Sequence, residues 1–308
     1  MIRYGNTEDQ AALKKIWSFC FDDEDAYIDA FFLAMYAGRH VLVAEENGVL
    51  MGASFFLPGK LYLSSEPDEP ETSSGSENGR WQNIRYIYAL AVYPRFRGKG
   101  IAAEILREAY RMYQAPLIAE PANEGLIGGF YARLGFQSAF FLQKIQVPIR
   151  QNSLQAAEIR PQTYEQTSHA FVPLQADTAD VSRYCSIRKA HFKKHGFVSW
   201  PRNHIAFAIQ EHRANGGGAF LAAGRGCEDI LLYYQDGSRA VVTETTLPPQ
   251  DAARVLAPYL PQTCASLEVC VEAGNSAWIA GVKDPVYKLT GMIYGMSPGY
   301  GYLNLSLD

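Results

Sequence analysis

The chain has 308 residues, 48% of them hydrophobic and 19% charged, with a formal net charge of -4; this is ordinary globular composition, long enough for two domains that each bury a core. The balance leaves no electrostatic footprint for nucleic acid, no block of one charge points to an anionic membrane, and no apolar run approaches the ~20 residues that span a bilayer. The start, MIRYGNTEDQ, lacks the basic-then-apolar pattern of a secretion signal, so a cytoplasmic protein is expected. Five cysteines, Cys20, Cys185, Cys227, Cys264 and Cys270, are scattered without a C-x-x-C pair, which argues against a metal site and against a disulfide framework.

Ile2 to Tyr4 reads as a short strand, after which Asn6 or Thr7 can cap a helix running to about Cys20. The acids Asp22, Asp23, Glu24 and Asp25 suit the first turn of a second helix through Met35, where carboxylates face the positive end of the helix dipole. His40 to Glu45 and Gly48 to Phe56 read as strands joined at Asn47-Gly48, a strong hairpin signal, with Leu57 to Leu63 extending the meander. Ser64 to Gly79 has no apolar residue and reads as a mobile loop. Ile84 to Val92, rich in β-branched and aromatic residues, reads as a buried strand.

Pro94 ends that strand, and Arg95-Phe96-Arg97-Gly98-Lys99-Gly100 follows as a short basic turn with two glycines. From there Ile101, Ile105 and Ala109 recur at helical spacing, so a helix is expected to about residue 114. A helix start leaves about four amides without intrahelical partners and carries roughly half a positive charge, which suits a phosphate. Gly98 and Gly100 keep side chains off those amides, and Arg95, Arg97 and Lys99 add charge around them. The turn is not a P-loop, which needs Gly-Lys-Ser/Thr, and Ala103 stands where a dinucleotide fingerprint needs its third glycine. Downstream, Ala115 to Ala119 reads as a strand and residues 120–124 as its break. A helix from about Glu124 then carries Tyr131 before Gly135-Phe136 turns into a strand from Ala139 to Val147.

Residues 149–177, rich in Gln, Pro and Thr, read as a linker. Beyond them the order of elements repeats: helices near Thr178 to His195 and Pro201 to Ala214, then strands near Gly218 to Ala223, Asp229 to Gln235 and Arg239 to Thr246. A helix opened by Pro248 runs to about Tyr259, and Ser266 to Val271 reads as a strand. The glycine turn does not return. Leu247-Pro248-Pro249-Gln250-Asp251 lacks both glycines and two amides, and puts an acid where an anion would sit. His191 and His195 are four apart, but HFKKH lacks the glutamate of HExxH, and a solvated face is the expectation. Pro298 to Asp308 ends with Leu303, Leu305 and Leu307 alternating like a strand.

Arg95-x-x-Gly98-x-Gly100, behind a strand ending Leu90-Ala91-Val92, resembles the coenzyme A signature of the GNAT acetyltransferase superfamily. Phe130-Tyr131-Ala132-Arg133-Leu134-Gly135-Phe136 resembles that superfamily's later Phe-Tyr-x-x-Leu-Gly-Phe segment. The resemblance covers residues 1–148 and implies a mixed α/β fold: a GNAT domain at 1–148 with a central mixed sheet flanked by helices, the linker 149–177, and a degenerate GNAT-like domain at 178–308 that does not hold coenzyme A. In its tandem plan the chain is also similar to the enhanced intracellular survival acetyltransferases.

The resemblance further implies acetyl-CoA as co-substrate, no metal, and direct acetyl transfer to a primary amine of a small molecule or peptide. On that reading the turn and helix start at Gly98, Lys99, Gly100, Ile101 and Ala102, with Arg95 and Arg97, hold the diphosphate. Strands that splay after the central one admit the pantetheine arm, to which Leu90, Ala91 and Val92 offer backbone groups, and amides there polarise the thioester carbonyl. Tyr131 matches the family's acid, since a phenol with an ordinary pKa near 10 stays protonated and can donate to sulfur. The family commonly places Asn seven residues before that Tyr; Asn123 lies eight before Tyr131, which implies an inserted residue or a local bulge.

For the base, Glu120 at the end of its strand is the first candidate. Asp308 is another, because the enhanced intracellular survival enzymes use their own C-terminal carboxylate. Tyr86 and Tyr88 would line the acceptor pocket or relay through water, and the acids at 22–25 would border it. Two other readings compete: a coenzyme A-binding sensor or scaffold without chemistry, and an aminoacyl or peptidyl transferase of the tandem GNAT kind, against which the intact glycine turn argues.

Overall fold

A computed structural model of the chain describes residues 1–64, 79–149, 170–193, 196–223, 228–273, 286–296 and 302–303. In chain order they form β1 (Ile2–Tyr4), α1 (Gln10–Cys20), α2 (Asp25–Met35), β2 (Val41–Glu46), β3 (Val49–Ser64), β4 (Gly79–Val92), α3 (Ile101–Tyr113), β5 (Leu117–Ala119) and β6 (Gln137–Pro148). There follow β7 (Ala170–Pro173), α4 (Thr178–Phe192), β8 (Phe197–Ser199), α5 (Arg202–Ala214), β9 (Gly218–Ala223), β10 (Glu228–Asp236), β11 (Arg239–Thr245), α6 (Pro249–Leu256), β12 (Ser266–Glu272) and β13 (Val286–Tyr294). Packing divides the chain into two units. The first takes Met1–Phe140, His195–His204 and Leu289–Gly301, and the second takes Phe141–Lys194, Ile205–Lys288 and Tyr302–Asp308.

In the first unit the strand order is β1-β2-β3-β4-β5-β13, antiparallel throughout except for the parallel pair β4/β5, and β8 pairs with the far part of β3. Asn6 starts the helical layer: its side chain accepts from the amides of Glu8 and Asp9 at 2.9 and 3.2 Å, while the Asp9 carboxylate accepts from the Asn6 amide at 2.8 Å. Alternation along the strands gives the sheet two apolar faces. On one, Trp17 of α1 and Phe31 of α2 pack against Phe55 at 5.5 and 5.0 Å and against Tyr88 at 5.6 and 5.1 Å. On the other, Ile101, Ile105, Leu106 and Ala109 of α3 cover Leu42, Phe56, Ile87 and Ala119. Each side chain fully buried in this way stabilises the fold by ~1.5–3 kcal/mol.

The second unit repeats the plan with β7-β9-β10-β11-β12-β6, again antiparallel except for one parallel pair, β11/β12, joined by a helix. Ala252, Ala253 and Leu256 of α6 belong to the same buried cluster as Leu231, Val242, Leu267 and Val269. Each unit thus borrows a strand: β13, from late in the sequence, pairs with β5, and β6, from the first half, pairs with β12.

Several expectations shift. The meander at 49–63 is a single sixteen-residue strand, and β4 begins at Gly79 rather than Ile84. Of the acids at 22–25 only Asp25 lies within α2. Asp23 instead accepts from the Trp17 indole at 2.7 Å, which holds the chain extended there. The helix expected to reach His195 ends at Phe192. Within 149–177 the described residues include the strand β7, and Leu174 is buried. The pieces at 195–204 and 289–301, read from sequence as part of the second half, pack with the first unit, and β8 and β13 carried no motif to announce them. Residues 65–78, 150–169 and 304–308, with His195 and Cys227, lie outside the described residues.

Candidate active site

The β4–α3 connection has the geometry its glycines suggest. Gly98 and Gly100 adopt φ of +78° and +80°, a left-handed backbone that a side chain disfavours by ~1–2 kcal/mol, and a Cβ at either position would meet no atom within 4 Å. The space above the turn is therefore open. α3 has Gly100 as its N-cap with no side-chain cap, and its first internal bond runs from the Glu104 amide to the Gly100 carbonyl at 3.0 Å. Among the described residues the amides of Gly98, Gly100, Ile101, Ala102 and Ala103 meet no protein acceptor. An anion is the natural cap for such an end. Arg95 and Lys99 are exposed and lie over the Phe96 ring at 4.8 and 5.4 Å. Arg97 turns back, donating from Nε to the Val92 carbonyl at 3.0 Å, and so braces the turn from behind.

Beside the turn the sheet opens. Among the described residues β4 and β5 pair only at Arg85↔Leu117 and Tyr86↔Ile118, after which β4 runs six more residues to Val92 without a strand partner on that side. The splay coincides with a bulge: Ala53 faces Ala91 and Phe55 faces Tyr88, so Ser54 opposes both Ala89 and Leu90. Ala89 takes the strain, with φ of +49°. The buried Ser54 hydroxyl reaches the carbonyls of Phe55 and Tyr88 at 3.2 and 3.3 Å. Leu90, Ala91 and Val92 thus lie along a free edge, although the Val92 carbonyl is engaged by Arg97 and by the Cys20 thiol at 3.6 Å.

The segment carrying Tyr131 is wound loosely and then locked. Asn123 caps it: its side-chain oxygen accepts from the Leu126 amide at 3.0 Å and its carbonyl from Leu126 and Ile127 at 3.1 and 3.2 Å. Leu126–Tyr131 is then π-helical, which lodges an extra residue in one turn, the local bulge that the eight-residue spacing from Asn123 to Tyr131 implied. The end is a Schellman motif. Gly135 at φ +90° donates to the Ala132 carbonyl at 3.0 Å, and Phe136 donates to the Tyr131 carbonyl at 3.1 Å. The apolar contact that accompanies this motif is the Phe136 ring on the Tyr131 ring, centroids 5.2 Å apart. Tyr131 is 7% exposed and shares a cluster with Ile87 and Ala119, the residues just past the point where β4 and β5 part. Burial pushes its phenol up to about 12.

Residues 37–138 match the family model described as "Acetyltransferase (GNAT) domain". The chain carries a GNAT domain. In fold, a GCN5-related N-acetyltransferase from Anabaena variabilis superposes with a TM-score of 0.70 at 12% identity, over 95% of this chain and 72% of that one. A GCN5-related N-acetyltransferase from Kribbella flavida gives 0.66 at 14% identity, over 95% and 71%, and Eis1 from Mycobacterium abscessus gives 0.61 at 14%, over 95% and 72%. No curated protein matches the chain significantly.

Within the GNAT domain, half-buried Glu120 follows directly on Ala119 at the end of β5. On the opposite face of the sheet from Tyr131, Tyr86 and Tyr88 stand with α1 and α2: the Tyr88 and Tyr27 hydroxyls are 2.6 Å apart, and Tyr86 meets Trp200 edge-on at 5.7 Å. Burial, then Tyr27, holds the Tyr88 phenol well above its ordinary value. Asp22, Asp23 and Glu24, between α1 and α2, and Asp25, at the start of α2, are exposed. Asp308 lies outside the described residues, as do all but Tyr302 and Leu303 of the closing run. Ser54, Tyr27 and Trp200 went unremarked in the sequence, since none belongs to a motif. No helix among the described residues is long and apolar enough to cross a membrane.

The second unit keeps the bulge and loses the anion end. Leu232 faces Glu244 and Tyr233 faces Val242, leaving Thr243 unpaired on β11, the counterpart of β4. α6 opens with Pro248 as N-cap and Pro249 in its first turn, and Asp251 there pairs with Arg254 at 2.9 Å. Where the first unit has aromatics between helix and sheet, the second has a buried ion pair. Arg188 donates to Glu244 at 2.9 and 3.0 Å, and Tyr184 donates to the same carboxylate at 2.7 Å.

Proposed function

We propose that the chain is an acetyl-CoA-dependent N-acetyltransferase that moves acetyl directly to a primary amine of a small molecule or peptide, with Tyr131 as general acid. The observation that carries this reading is the opening between β4 and β5, which ends at the uncapped amides of α3 and adjoins a buried phenol. When bound, acetyl-CoA supplies an acyl group activated as a thioester.

The chain's own residues do the rest. Amides of residues 98–102, with Arg95 and Lys99 nearby, hold the diphosphate, and the free edge at Leu90 and Ala91 orients the arm. Tyr131 holds a proton on Oη for the departing sulfur, and its buried position keeps it there at neutral pH. Glu120 is the candidate to take the proton from the amine, with Asp308 the alternative; removing the last two residues and replacing Glu120 by Gln separates them. The second unit is a degenerate copy without a cofactor, because its helix start is closed by two prolines and an acid.

The test is calorimetric titration with acetyl-CoA together with thiol release over a panel of primary amines, for the native chain and for Tyr131→Phe. Binding and turnover, with turnover lost in the variant, support the reading. Tight binding without turnover on any amine would make the chain a coenzyme A sensor or scaffold.

A further inference from the structure

We propose that Tyr294, on β13, is a positioning residue that sets the ring of Tyr131. The inference rests on the general-acid reading for its catalytic meaning, but its geometry stands by itself. Phe136 is the outer half of the Schellman contact that orients Tyr131, and Tyr294 is stacked on Phe136 with centroids 5.2 Å apart and planes inclined by 29°. The Tyr294 ring also lies against the cap: a Cβ on Gly135 would stand 3.4 Å from its Cε2. Behind it, Tyr110 of α3 meets Tyr294 edge-on at 4.9 Å. Four rings in series, Tyr110, Tyr294, Phe136 and Tyr131, therefore run from the helix of the anion end to the phenol.

The ladder fixes where Tyr294 stands in that series. Met292, Ile293 and Tyr294 pair with Ala119, Ile118 and Leu117 of β5, the strand that bounds the opening. Tyr294 lies far outside the matched segment 37–138, and no motif in the first half refers to it. Among the described residues its ring meets the rings of Tyr110 and Phe136, so it acts by shape, as the wall that keeps Phe136 from retreating. Without that wall the contact between Phe136 and Tyr131 slackens and water reaches the phenol.

The experiment compares Tyr294→Ala, Tyr294→Leu and Tyr294→Phe. Each is assayed for acetyl-CoA turnover with the best primary amine of the panel, and each is also prepared with 3-fluorotyrosine at position 131 for fluorine NMR. The fluorine measurement needs no acceptor. For Tyr294→Ala and Tyr294→Leu, kcat should fall ~10–100-fold with the KM for acetyl-CoA within about twofold, as for a misplaced catalytic group. Their fluorine resonance should move toward the solvent position and its titration midpoint drop by about one pH unit. Tyr294→Phe, which keeps the ring, should restore all three readouts.

A resonance and midpoint unmoved in both ring-deleting variants would overturn the inference. Should Tyr294→Ala not fold, Tyr294→Leu carries the same readouts. Should Tyr131→Phe leave kcat intact, the general-acid reading falls alone, and the fluorine data still decide whether Tyr294 sets the ring.

Discussion

Phe136 holds Tyr131 twice, through a 3.1 Å bond from its amide to the Tyr131 carbonyl and through a 5.2 Å ring contact. The Leu-Gly-Phe sequence after the tyrosine is thus a capping device: the glycine takes the left-handed position and the phenylalanine supplies the apolar contact. A phenol held in that way has its place fixed before any ligand arrives.

Replacing Tyr131 by Phe keeps the ring contact and removes the proton. kcat should fall ~100-fold or more while the KM for acetyl-CoA stays within about twofold. The pH profile carries a sign. With the phenol pushed up to about 12, its donor form persists through pH 7–10, so kcat should show no alkaline fall assignable to Tyr131 in that range. Stability behaves oppositely: above the unfolded value near 10 the unfolded chain loses this proton while the folded one keeps it, so the contribution declines as pH rises from 10. Initial rates and urea unfolding across pH 7–11 check both.

Gly100→Val asks a left-handed position to carry a branched side chain and fills the space over the helix start. Acetyl-CoA affinity should weaken by two tenfold steps of ~1.4 kcal/mol each, or more, measured by calorimetry. The same change at Gly237, in the β10–β11 hairpin, should leave that affinity alone, because its φ of +59° serves only a turn of the second unit.

Ala89→Gly should stabilise the protein. The left-handed backbone costs alanine ~1–2 kcal/mol, and glycine's greater freedom in the unfolded chain returns ~0.5–1 of it, for a net gain of ~0.5 kcal/mol. Thermal unfolding should move up by about 1–2 °C.

Arg188→Met leaves Glu244 buried without its cation and should cost ~3–5 kcal/mol, read from urea unfolding. Adding Glu244→Leu should recover most of that loss. Neither variant should change acetyl-CoA affinity, since both residues belong to the second unit.

The sequence disclosed what depends on local rules. Asn47-Gly48, Gly98, Gly100, Gly135, Pro248 and the amphipathic spacing of α3 each act through backbone conformation or periodicity, and each stands where its neighbours imply. The eight-residue interval from Asn123 to Tyr131 even announced a distortion, which the π turn supplies. What stayed hidden depends on partners distant in the chain. Ser54 matters because of the two residues opposite it, Trp200 because of Tyr86, and Tyr294 because of Phe136. Strands β7 and β8 are short pieces whose pairing, not propensity, makes them strands, and the place of β13 is set by its ladder to β5.

The borrowed strand has a consequence for how the molecule is made. β5 cannot complete its ladder until Met292 leaves the ribosome, although its own residues end at Ala119. At ~5–20 residues per second the intervening stretch takes roughly 10–35 s to synthesise, during which the growing chain carries an unfinished edge. A nascent polypeptide stalled anywhere between Phe136 and that point would hold every signature residue of the first half and still lack its last wall.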